Sequence, residues 1–292
     1  MDKEKVIYSR SQSFTSIKKE PPRLLYVSSF NRRLWKFTGH ALVESFLNTQ
    51  TKGELLLTYE DDIKSQIKQK IHGLSNKHSL RYYNLDEDEF LQIWLKNNID
   101  IIPQDLGGTA AKCNCVDNDH IRGCPYSFFN YRASQWFRKV VALNYAIKLD
   151  TYDILVFIDC DAEFRKKTSI QIIKDTFKNK LAMWYFLGRH RKALDKGIEA
   201  GFMGFHRQYG GYDIIQLLID KYVSGDFKQY HRWDDGYVLR MVVEENPQIP
   251  TKDLTEYVDV SRVMDEGPFR KYIAHKKGIH EKQGIRLLEL NR

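Results

Sequence analysis

Three strand-sized apolar runs, RLLYVSSF, GELLLTYEDD and YDILVFI, alternate with stretches of helical periodicity, and each gives way to polar or charged residues. This alternation constrains the fold more than any other feature. Apolar strands separated by helices predict a mainly parallel sheet covered by helices on both faces. FTGHALVESFLNT reads as a helix behind the first strand. DEDEFLQIWLKNN reads as a helix with an acidic first turn, where the helix dipole favours carboxylates. In ASQWFRKVVALNYAIKL, Trp136, Val140, Leu143 and Ile147 fall on one helical face. Further on, SIQIIKDTFKN, GYDIIQLLIDKYVSG and WDDGYVLRMVVEE read as helices, and LAMWYFLG and GFMGFHR as strands. From Asn246 onward the pattern mixes short strands and loops.

The expected organisation is one α/β domain over residues 23–292, with a polar leader at 1–22. A first half, 23–165, holds the ligand-binding strands, and a second half, 166–292, completes the domain. The Gly-, Cys-, Asn- and Asp-rich stretch from Pro103 to Tyr131 is a loop long enough to suggest a functional role. No run approaches the roughly 20 apolar residues of a membrane helix. The N-terminus has no apolar segment after its charges. Four cysteines are too few for a disulfide scaffold. These features predict a cytoplasmic protein. The net charge of +8 suits an anionic partner. The basic residues are dispersed in short runs, however, and no nucleic-acid module is recognisable.

The strand ILVFI runs into Asp159 and Asp161 at its carboxyl end, where open α/β sheets bind ligands. Alternate residues of an extended segment point the same way, so both carboxylates can share a face. Two such close anions require an intervening cation or proton. A divalent ion with hard oxygen ligands supplies one and leaves coordination sites for a diphosphate. Arg132, Arg138 and Lys139, on the preceding helix, are candidate phosphate partners. Gly201 and Gly204 would let the backbone approach a ligand closely. Asp234 and Asp235 open a helix, where one caps and the other is free to act as a base. His275 and His280 flank Gly278 in a loop near the C-terminus.

The DxD motif DCD, the glycine loop GFMGF, the xED-like WDD and the histidine of HKKG occur in an order that resembles the GT-A family of nucleotide-sugar-dependent glycosyltransferases. FRKVVAL followed by ILVFIDCDAEF is similar to the helix–strand unit of that family, and the likeness spans roughly residues 23–282. The resemblance implies a Rossmann-like GT-A fold, a UDP-sugar donor, a glycan or other glycoconjugate acceptor, and Mn²⁺ or Mg²⁺. Asp161 would ligate the metal, and Asp159 would bind ribose or reach the metal through water. His275 would be the third ligand, with His280 as the alternate or a donor contact. Lys139 or Arg132 would contact phosphate or donor sugar. Ser28, Ser29, Phe30, Tyr59 and Glu60, at the ends of the first two strands, would hold the nucleoside. Gly201, Phe202 and Trp233 would border the acceptor. In inverting members the last Asp of the xED motif is the base, which maps to Asp235. Here Asp234 replaces the Glu, so the choice within the pair is open. DCDAEF is also similar to the DVDMEF of retaining galactosyl- and N-acetylgalactosaminyltransferases, so retention is the alternative to inversion.

Two further readings stand beside this one. A metal-dependent phosphohydrolase or nuclease could use the DxD with Asp234 and Asp235 as a two-metal set, but GFMGF then has no role. A carbohydrate- or nucleic-acid-binding protein could exploit the charge and the aromatic residues. Cys113, Cys115, His120 and Cys124 approach a zinc-knuckle spacing with two gaps too short. EKQGIRLLELNR could close over the nucleotide or dock on the core.

Overall fold

A computed structural model of the chain describes residues 22–49, 53–74, 79–101, 133–180, 182–186, 197–257 and 267–275. The apolar runs become adjacent strands. β1 (Leu24–Phe30) lies between β2 (Glu54–Tyr59) and β4 (Ile154–Ile158), and β3 (Leu80–Asn84) borders β2. Beyond β4 come β7 (Ile198–His206), β6 (Ala182–Phe186) and β8 (Thr251–Asp253), in the sheet order β3-β2-β1-β4-β7-β6-β8. Within this sheet only β7 runs antiparallel to its neighbours. A two-stranded ribbon, β5 (Ala162–Phe164) with β9 (Ile273–His275), stands beside it. The mixed, mainly parallel sheet matches the fold class expected from the sequence.

Helices cover both faces. On one lie α4 (Glu89–Asn97), α5 (Ala133–Lys148), α7 (Gly211–Ser224) and α8 (Asp235–Glu245). On the other lie α1 (Arg32–Leu34), continued through a helical turn at Trp35–Gly39 into α2 (His40–Thr49), with α3 (Lys64–Lys70) and α6 (Ile170–Phe177). Burial on both faces explains why every residue of β4 is buried and why β1 and β2 read as near-continuous apolar runs. Among the described residues, no helix is long and apolar enough to cross a membrane.

Several elements differ from the sequence reading. α5 is buried on more than a stripe: Phe137, Val140, Val141 and Leu143 are fully buried, while Trp136 and Ile147 are only half-buried. The helix is wedged between β1 and the α7–α8 pair, so two of its sides face apolar neighbours. β3 and α3 were not foreseen. Each sits at the margin and buries one side chain, Leu80 and Ile67 respectively, so neither carries an apolar signature. The leader, the Pro103–Tyr131 loop with Cys113, Cys115, His120 and Cys124, and the C-terminal EKQGIRLLELNR lie outside the described residues apart from Pro22.

Two local departures from regularity position the site. The pairing of β6 with β7 shifts between Trp184–Met203 and Tyr185–Glu199, leaving Ala200–Phe202 as a bulge in β7. Bulges re-aim side chains and concentrate beside functional sites. The start of α8 also packs backbone-to-backbone on the start of β7. A Cβ at Gly197 would come within 2.6 Å of the Gly236 carbonyl carbon, and a Cβ at Gly236 would run into the Ile198 carbonyl oxygen. Gly204 serves packing too, since a Cβ there would lie 2.7 Å from Met183 Cε.

Gly236→Ala should therefore destabilise the protein despite alanine's better helix propensity, by about 1–3 kcal/mol as for other overpacked sites. Urea denaturation measures this. An unchanged midpoint would show that α8 is not seated on β7 as described.

Candidate active site

β4 ends at Ile158, and the chain turns at once. The Ala162 amide donates to the Asp159 carbonyl at 3.0 Å, and the Asp159 amide donates to the carbonyl of Gly201 in the β7 bulge at 2.9 Å. The two aspartates thus converge through a tight turn, not through the extended alternation expected from the sequence. Cys160, between them, packs into the opposite apolar layer, where Thr38 Oγ1 lies 3.7 Å from its sulfur. The ribbon then brings in the histidine, because β5 pairs Ala162 with His275. His275 occupies a strand, not the loop predicted for it, and its Nε2 lies 2.9 Å from Asp161 Oδ1.

Asp159, Asp161 and His275 each offer one ligand atom, and these atoms lie within 4.8 Å of one another. Two carboxylates and an imidazole are a suitable donor set for a divalent ion such as Mn²⁺ or Mg²⁺. Gly201 keeps a cradle open beside them. A Cβ at that position would lie 3.0 Å from Asp159 Oδ2, 3.1 Å from Glu199 Oε1 and 3.1 Å from His275 Cε1. Glu199 was missed in the sequence reading. Its signal was an acid inside the otherwise apolar strand IEAGFMGF, a position that buries a carboxylate only where something compensates it.

Lys139 projects from α5 into the same region. Its Nζ lies 2.8 Å from Asp159 Oδ1 and 3.5 Å from Asp235 Oδ2, with the Phe157 ring 5.3 Å away. Burial disfavours its charge, but Asp159 and Asp235 outweigh burial and hold the ammonium well above its ordinary pKa. One residue earlier on α5, Arg138 Nε donates to Glu60 Oε2 at 2.7 Å. Burial raises the Glu60 carboxyl, and Arg138 opposes that rise only in part.

The paired acids of WDD divide their tasks. Asp234 caps α8, accepting from the Tyr237 amide at 3.2 Å, and Arg232 donates to both of its oxygens at 2.8 and 3.0 Å. Asp235 is only 3% exposed, and its Oδ2 accepts no hydrogen bond among the described residues. Burial pushes its carboxyl up to about 6; Lys139 pulls it down, and Asp234 and Asp159 push it further up.

The remaining candidates split between the two faces of the sheet. Strand alternation places Ser29 and Glu60 toward α5, with Lys139 and Arg138. Ser28, Phe30 and Tyr59 point into the opposite layer, where Phe30 stacks on Trp35. Gly201 borders the acid cluster. Phe202 turns away onto Phe269, with ring centroids 4.6 Å apart. Trp233 is buried edge-on against Phe227. Arg132 and His280 lie outside the described residues.

No family model matches the chain, and no curated protein does. Among solved structures, the apo crystal structure of mouse xyloside xylosyltransferase 1 aligns with 78% of this chain and 83% of that one, at 12% identity and a TM-score of 0.43.

The raised Asp235 carboxyl makes a pH-dependent prediction. Its folded pKa of about 6 lies above the ordinary aspartate value, so the folded state binds this proton more tightly than the unfolded chain. The resulting stability is present at low pH and is lost as pH rises through about 6. Asp235→Asn should therefore be more stable than the wild type at pH 8, by on the order of 2–3 kcal/mol. The gap should close by about pH 4. Melting curves of both proteins across this range decide it, and a constant gap would refute the assignment.

Proposed function

We propose that this protein is a metal-dependent glycosyltransferase that moves a sugar from a UDP-sugar to a hydroxyl of a carbohydrate or glycoconjugate acceptor. The observation that carries the reading is the gathering of Asp159, Asp161 and His275 within 4.8 Å at the carboxyl end of β4. These three residues would hold Mn²⁺ or Mg²⁺, which when bound supplies Lewis-acid stabilisation of a departing diphosphate. The resemblance of DCD, GFMGF, WDD and HKKG to GT-A motifs supplies the reaction class and the UDP-sugar donor.

The chain's own residues account for the acceptor side. Asp235 is the base in the inverting reading. Its carboxyl is ionised at neutral pH yet raised to about 6, close to the pH at which a general base works well. Lys139 holds that carboxylate in place, and the cap and the Arg232 fork leave Asp234 no comparable role. A retaining transfer has one observation of its own. Glu199 is a second buried carboxylate, and it faces the Gly201 cradle.

UDP with Mn²⁺ should raise the melting temperature, and Asp161→Ala should abolish that shift. Asp235→Asn should keep the shift and lose about 10²–10⁴-fold in turnover. In the wild type, kcat/KM should fall as pH drops through about 6, because the base is then protonated. Absence of stabilisation by any nucleoside diphosphate with metal would sink the transferase reading. Turnover that survives Asp235→Asn but not Glu199→Gln, with anomeric configuration retained in the product, would overturn the inverting assignment alone.

A further inference from the structure

The two helical layers carry unequal charge. The segments that cover the sheet on the α1–α3 and α6 side, residues 31–49, 61–74, 162–180 and 267–275, hold 14 Lys and Arg against 5 Asp and Glu. The segments of the other layer, 85–101, 133–150 and 207–246, hold 9 against 13. Pairing sharpens the contrast. In the acidic layer seven of the nine cations sit in ion pairs. In the basic layer Lys70 pairs with Glu44. Arg33, Lys36, Arg165, Lys167, Arg270 and Lys271 are solvent-exposed, with no ion pair among the described residues.

These cations are organised around the metal-site turn. The Arg165 and Lys166 amides both donate to the Tyr272 carbonyl, at 2.7 and 3.4 Å. Arg165–Lys167 and Arg270–Lys271 therefore meet at one end of the β5–β9 ribbon, whose other end carries Asp161 and His275. On the far flank, Thr38 touches Cys160 of the turn. Its neighbour Phe37 is 45% exposed, in the same stretch as Arg33 and Lys36.

We propose that this basic face docks the protein on an anionic bilayer surface. A spread of Lys and Arg near acidic headgroups is attracted within about a Debye length of the surface. An exposed aromatic set among such residues is what an interfacially bound segment presents to lipid. A single-stranded nucleic acid would call for stacking platforms, and Phe37 is the only large apolar side chain well exposed on this layer among the described residues. The inference goes beyond the transferase reading and does not depend on it, since docking requires neither donor nor acceptor.

Co-sedimentation of the full chain with vesicles tests it. Vesicles containing about 30% phosphatidylserine should pellet the protein at about 50 mM NaCl and release it at about 300 mM, while pure phosphatidylcholine vesicles should not retain it. The triple variant R165E/K166E/K167E should bind at least about tenfold less. K96E/K148E, on the acidic layer, should bind like the wild type. Phe37→Ser should weaken binding without altering the circular dichroism spectrum. Equal partition onto neutral and acidic vesicles would overturn the proposal, as would wild-type binding by a folded triple variant. So would retention of a single-stranded oligonucleotide at a salt concentration that releases the vesicles, which would assign the face to nucleic acid.

Discussion

A single buried ammonium ties the site together. Lys139 stands between Asp159, at the end of β4, and Asp235, at the start of α8, so one side chain spans the carboxylates of two separate elements. Removing an ammonium from water costs several kcal/mol even after relaxation. One contact at an effective dielectric near 20 returns about 4 kcal/mol, which would barely offset that cost. Two carboxylates change the sign, and Lys139 stays charged although it is buried. The dependence runs both ways. Without Lys139, Asp159 and Asp235 would face each other with no cation between them.

That arrangement requires three elements distant in sequence to approach closely, and glycines allow it. Gly197 and Gly236 let the backbones of β7 and α8 touch, which brings Asp235 within reach of α5. Gly201, in the β7 bulge, accepts from the amide of Asp159 and, having no side chain, lets Asp159, Glu199 and His275 close in around it. The β5–β9 ribbon delivers His275 to Asp161 across 114 residues of sequence. A β-carbon at position 197 or 236 would drive α8 away from β7. Asp235 would move with it, although neither glycine carries any chemistry.

The layered sheet was legible because burial on both faces writes itself as unbroken apolar runs, as in β4. The marginal elements β3 and α3 were not, since each buries only one side chain and is otherwise polar. Asp159, Asp161, His275 and Asp235 could be read because their residue types and order imply chemistry. Their geometry could not. The convergence of the two aspartates depends on a turn and on a ribbon pairing that no local pattern encodes. The resemblance placed Trp233 and Phe202 beside the acceptor, yet alternation and helix packing turn both side chains into the core. The pairing of Lys139 with Asp159 and Asp235 had no local signal, because these partners lie 20 and 96 residues away.

The position of Lys139 also bears on the choice between transfer and hydrolysis. A two-metal phosphohydrolase would need a second ion about 3.5–4 Å from the first, held by its own carboxylates. The candidates for that role were Asp234 and Asp235. Asp234 is occupied by the α8 cap and by Arg232. Asp235 faces an ammonium that already lies between it and Asp159. The place where a second divalent ion would bridge the two acidic groups is thus taken by a cation covalently fixed to α5. In the proposed transferase reaction, one exchangeable cation held by Asp159, Asp161 and His275 would neutralise the leaving diphosphate. The fixed cation keeps Asp235 apart from that ion, as a carboxylate able to take a proton and not committed to a metal. In the proposed reaction, leaving-group stabilisation would thus fall on one side of Lys139 and the base on the other, a division suited to moving a group onto a hydroxyl.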